Sequence, residues 1–163
     1  MRGFIIVICL LIGTSGCESF SRVERERPTP WPAGVPLPER YHVAEAALRY
    51  MFDNVPKSEG DFYSAYVLDG REFTGQLEAA FRNHRPRVTT EIRVSMRRGE
   101  ARDAANGTPV ELWSVKGNEP QGDEATAYVS WYVAPLGAAS YTVHLQRKDG
   151  KWIVVSKTLD LIS

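Results

Sequence analysis

Three histidines, two cysteines, scattered carboxylates and a run of late tyrosines are the side chains through which this sequence could do chemistry. His42, His84 and His144 fall on three separate segments, and no pair has the spacing that preforms a metal site. Each therefore reads as an ordinary surface residue; His84 and Arg85, just before Pro86, suit the negative end of a helix macrodipole. A serine nucleophile needs a base and an orienting acid, and neither a G-x-S-x-G elbow nor an S-x-x-K motif occurs. Glu111, Asp123 and Glu124 are the carboxylates a paired-acid mechanism would draw on, but nothing in their spacing brings them together. Asn106-Gly107-Thr108 matches a glycosylation sequon, and Asn-Gly is first of all a turn signal. No cofactor motif is present, so the sequence reads as non-catalytic.

The strongest chemical signal is aromatic. Trp113, Tyr128, Trp131, Tyr132, Tyr141 and Trp152 crowd the last part of the chain. Aromatics dominate burial in small domains, so core packing is the plainer reading. The functional reading makes Tyr128, Tyr132 and Tyr141 a candidate pocket or partner surface on the concave face of a sheet, supplying hydroxyls among apolar walls.

The cysteines carry the other signal. Arg2 is a minimal basic start, "FIIVICLLI" from Phe4 to Ile12 is an unbroken apolar run, and small residues follow to Gly16, which is export-signal architecture. The run is about half the ~20 apolar residues that a membrane-spanning helix needs. "TSGC" at the junction resembles the lipobox of bacterial lipoproteins, with Thr14 standing where that pattern prefers Leu, Val or Ile. The resemblance implies cleavage before Cys17 and diacylglyceryl attachment to its thiol; the alternatives are a secreted chain with a free thiol and a segment that stays uncleaved. Under either cut Cys9 departs with residues 1–16, and Cys17 is left without an intramolecular disulfide partner. Two or three acyl chains hold a protein on a bilayer without a basic patch. The residue after the cysteine is Glu18 and not Asp, which by the same resemblance is compatible with sorting to the outer membrane, facing the periplasm, if the source has two membranes.

Charge excludes one class of partner. Twenty basic residues balance twenty acidic ones over 163 residues, and the signs are interspersed, so nucleic-acid binding is not expected. Residues 17–38 read as a tether: a charged stretch, then "PTPWPAGVPLP", which holds half of the ten prolines and favours extended polyproline II backbone. Trp31 within it is either a recognition residue or packs on the domain.

Residues 39–163 must then position everything else. Tyr41, Ala44, Leu48, Met51 and Phe52 recur at helical spacing from Glu39, which predicts an amphipathic first helix. "FYSAYVL" (Phe62 to Leu68) predicts a strand, and Thr74 is placed to cap a short helix through Leu77, Ala80 and Phe81. Ile92, Val94 and Met96 alternate with Arg93, Ser95 and Arg97 as a half-buried strand; Gly99 to Pro109 reads as a polar loop. Val110 to Val115 is the next strand, Ala125 to Ala134 a central one, and Ser140 to Arg147 and Trp152 to Ser156 form a hairpin across Asp149-Gly150. The order is helix, strand, helix, then about five strands, which argues α+β with helices on one face of an antiparallel sheet.

"AEAALRYMF", "AYVLDGREFTGQLEAAF" and "LGAASYTVHLQRKDGKWIVVSKTLDLIS" resemble small bacterial lipoproteins of the cystatin-like, nuclear-transport-factor-2-like superfold, a group largely without assigned function. The resemblance implies a curved antiparallel sheet wrapping the N-terminal helix. Together these readings lead to a lipid-anchored cell-envelope protein, attached to the membrane through Cys17. It is expected to serve as a non-catalytic interaction or scaffold module for an envelope protein; the alternatives are a small-molecule binder using the aromatic pocket on the concave sheet face and, third, an enzyme using that pocket.

Overall fold

The computed structural model describes residues 31–32, 34–55, 63–68, 73–90, 92–134 and 136–162. Cys9 and Cys17 lie outside the described residues. Helix α1 spans Glu39–Asn54, and the chain continues through β1 (Ala65–Leu68), α2 (Thr74–Ala80), β2 (Arg87–Thr89), β3 (Val94–Arg97) and β4 (Glu100–Asp103). The last four strands are β5 (Glu111–Gly117), β6 (Glu124–Ala134), β7 (Gly137–Lys148) and β8 (Lys151–Ile162). The protein is thus α+β, with a six-stranded sheet in the order β2-β1-β5-β6-β7-β8 and a separate two-stranded sheet of β3 and β4.

The amphipathic helix forms as its spacing predicts. Tyr41, Ala44, Ala47, Leu48, Met51 and Phe52 are all buried along one side of α1. Each large side chain so buried contributes roughly 1.5–3 kcal/mol of transfer free energy. They meet Tyr66, Leu68, Trp113, Ala127, Val129, Val143 and Leu145 from the sheet, with Leu77 and Phe81 of the α2 region closing the same core. Gly117 on β5 is what lets α1 come so close: a Cβ there would lie 2.1 Å from the Arg40 carbonyl oxygen. At the sheet's far end the helix is pinned by Glu39, whose Oε2 accepts from Trp152 Nε1 at 2.9 Å and pairs with Arg147 at 2.9 Å.

The sheet corrects the antiparallel expectation. β1 runs parallel to both β2 and β5, while β5 through β8 form an antiparallel meander. The cause is local: β1, α2 and β2 form a strand–helix–strand unit, and a helix between two strands returns the chain to run parallel. Bulges between Tyr132 and Ala134, between Ser140 and Tyr141, and between His144 and Leu145 interrupt the ladders of the long strands; such bulges bend a strand.

Three further expectations change. Thr74 does not cap α2; Phe73 holds the cap position with φ of 58°, and the Thr74 hydroxyl is buried with no partner among the described residues. Packing decides this start, because the Phe73 ring lies against Trp31 (5.3 Å) and Tyr41 (5.7 Å). The Ile92 to Arg97 strand is not part of the main sheet, and its Met96 is exposed. Gly99 to Pro109, read as a loop, contains β4, which pairs with β3 in register. The turn at Asn106-Gly107 does form, with Gly107 at φ 74°. So does the one at Asp149-Gly150, both residues left-handed as a tight hairpin requires.

Candidate functional site

The β5 to β7 ladders sort every side chain of the meander onto one of two faces, because directly opposed residues share a face. Trp113, Trp131 and Ala139 are one such row, and Val115, Val129 and Tyr141 the next; both belong to the side packed against α1. The opposite side carries Leu112, Tyr132 and Ala138, then Ser114, Ser130 and Ser140, then Lys116, Tyr128 and Thr142.

This arithmetic separates the three tyrosines. Tyr141 lies on the helix side, packed against the core with the Lys157 ammonium 5.2 Å from its ring centroid. Tyr132 is on the other side, beneath the β3–β4 hairpin. There it joins Val67, Ala101, Val110 and Leu112 in a second small core, and its hydroxyl donates to the Gly99 carbonyl oxygen at 2.6 Å. Tyr128 shares that side but lies beyond the hairpin, 52% exposed. They do not converge on one concave pocket. The helix side is filled, with Trp113, Phe52, Leu48 and Met51 all fully buried.

The open part of the outer side is the candidate site. A shallow depression of about 220 Å³ is lined by Ser114, Lys116, Tyr128, Ser130, Ser140 and Asp160, and it also touches Val129 and Tyr141, which come next along β6 and β7 but belong to the helix side. The three serines stand in a straight row across β5, β6 and β7. Thr142 Oγ1 donates to Asp160 Oδ2 at 2.9 Å, which holds the carboxylate at the rim. Lys116 and Asp160 put opposite charges on the lining. The β3–β4 hairpin, tied down through Tyr132, closes the face at the end next to Ser130.

Of these residues, sequence reasoning singled out Tyr128 and Tyr141. The signal for the rest was the polar phase of each strand: Ser114 and Lys116 in "VELWSVK", Ser130 in "ATAYVSWYVA", Ser140 at the start of its segment. Alternation shows that such residues share a face; only the register shows that Ser114, Ser130 and Ser140 are neighbours.

The remaining candidates stay apart. His42 is exposed on α1, His144 lies on the outer face, and His84 is half-buried with its ring 4.8 Å from Phe52 and its Nδ1 2.8 Å from the Pro86 carbonyl oxygen. His84 is thus an aromatic packing residue more than a surface one. No group of metal-ligating side chains gathers among the described residues. Glu111 is buried at the start of β5, whereas Asp123 and Glu124 are exposed at its other end, so the strand's length separates them. The titration of Tyr41 is displaced: burial pushes its phenol up to about 12, with the nearby Glu45 carboxylate adding to the effect and Arg49 opposing it.

No family model matches the chain, and no curated protein or solved structure does either. No helix among the described residues is long and apolar enough to cross a membrane. What fold and site define is an α+β domain with one filled face and one open, hydroxyl-lined face.

Proposed function

We propose that this chain is a lipid-anchored cell-envelope protein acting as a non-catalytic interaction module on the cystatin-like, nuclear-transport-factor-2-like plan. Residues 1–16 are an export leader, Cys17 carries the lipid, residues 17–38 are the tether, and residues 39–163 are the working domain. The observation that carries the interaction reading is the filled helix side of the sheet. Trp113, Trp131, Tyr141 and Trp152 of the last strands are taken up there as core, which leaves binding to the outer surface of the domain. A second reading, a small ligand, is favoured by the depression around Tyr128.

Anchorage is tested by metabolic labelling with a palmitate analogue in cells producing the natural chain or Cys17→Ala. Label on the natural chain alone is expected, and equal label on both would sink the proposal. Partner binding is tested by crosslinking in cells, with repeated recovery of one envelope protein as the expected result.

A further inference from the structure

We infer that the depression on the outer sheet face is a binding site for a neutral saccharide, an inference that rests on the small-ligand reading above. The groups that line it match sugar chemistry one by one. Among the described residues the hydroxyls of Ser114, Ser130 and Ser140 have no hydrogen-bond partner, and each can rotate to donate or accept. A pyranose presents hydroxyls with the same double character, so a row of serines spaced ~5 Å apart across the ladder can meet successive ring substituents in either sense.

Tyr128 supplies the second element. The residue is 52% exposed in the middle of a polar sheet face, flanked on its row by Lys116 and Thr142. An aromatic face is weakly negative, and the polarised C–H groups on one side of a sugar ring are weakly positive, so stacking is attractive as well as apolar. Isolated exposed aromatics are ordinary on protein surfaces; an exposed tyrosine beside three aligned hydroxyls in a depression is a more particular arrangement.

Charge narrows the ligand class. Lys116 donates and Asp160 accepts, from the same lining. An anion would be attracted by the first and repelled by the second, and a cation the reverse, so the pair selects a neutral polyol that both can hydrogen-bond. At about 220 Å³ the depression lies below the ~300 Å³ from which compact ligand pockets usually start, so it accommodates a sugar ring or two at the surface and not an enclosed molecule.

The test uses the full chain in detergent, isotopically labelled for amide proton–nitrogen correlation spectra and titrated with chitobiose, cellobiose and, as a charged comparator, inorganic phosphate. At least one disaccharide is expected to give saturable millimolar shifts confined to the amides around Ser114, Tyr128, Ser130 and Ser140. Tyr128→Ala should weaken that binding about tenfold at an unchanged thermal midpoint, and Tyr128→Trp should restore it. Shifts with phosphate alone, no shift with either disaccharide, or equal affinity in Tyr128→Ala would each overturn the inference. So would a crosslinked protein partner covering Tyr128 while neither sugar binds. Anchorage is scored separately by label on Cys17, so failure of one proposal is distinguishable from failure of the other.

Discussion

Gly117→Ala tests the packing that everything else depends on. Gly117 sits on β5 directly under the first turns of α1, and the added methyl carbon would lie 2.1 Å from Arg40 O, 3.0 Å from Ala44 N and 3.1 Å from Arg40 C. All three are backbone atoms, so no side chain can swing aside. To reach ordinary contact the helix must retreat by more than about 1 Å, which opens gaps around Tyr41, Ala44 and Leu48, all at most 4% exposed. Forced overpacking of this kind costs typically 1–3 kcal/mol, and a backbone obstacle places it at or above the upper end, about 3 kcal/mol. For a domain of this size that corresponds to a fall in melting temperature of roughly 10 °C. Gly117 has no left-handed φ, so the effect is one of space and not of backbone conformation. Gly75→Ala is the matched control: nothing lies within 4 Å of its added carbon, and in a helix alanine should stabilise by about 0.5–1 kcal/mol. Urea unfolding of the natural chain and both variants reads the difference. A Gly117→Ala variant within about 1 kcal/mol of the natural chain would refute the close seating of α1 on β5.

Two smaller perturbations probe other parts of the molecule. Tyr132→Phe removes the 2.6 Å hydrogen bond to Gly99 O and should cost about 1 kcal/mol, with amide exchange quickening first in the β3–β4 hairpin that the bond holds down; uniform quickening across the sheet would assign the tyrosine a different role. Tyr41 titrates at about 12 in the folded protein against an unfolded value of 10.0. Its contribution is therefore fully present below pH 10 and is lost as pH rises from about 10 to 12. Tyr41→Phe should flatten the alkaline limb of the stability profile in that window, as measured by thermal midpoints between pH 9 and 12, and an unchanged limb would show that the phenol is not responsible.

Much of this architecture is legible in the sequence where a local rule governs it. Asp149-Gly150 sets the last hairpin because both positions need left-handed backbone, which this pair tolerates. Tyr41, Ala44, Leu48 and Phe52 define the buried side of α1 because helical spacing puts them on one stripe. Trp31, left between recognition and packing, lies against Phe73 and donates from Nε1 to Val35 O at 3.1 Å. The proposed leader, lipid attachment at Cys17 and tether rest on the composition and order of the sequence alone.

What tertiary structure alone decides is which phase of each alternation faces which layer. Tyr128 and Tyr141 look equivalent in sequence, but β6 and β7 pair so that Val129 opposes Tyr141, and this sends the two rings to opposite sides of the sheet. Register also gathers Ser114, Ser130 and Ser140 from three strands into one row. The β4 segment is polar enough to read as a loop, and the β3–β4 hairpin becomes a cover only because Ala101 and Val94 find Val67 and Leu112 beneath them. A strand's own residues determine that its side chains alternate, with a period of two; only the partner strand and the helix laid across it determine which set is buried and which is left open to a ligand.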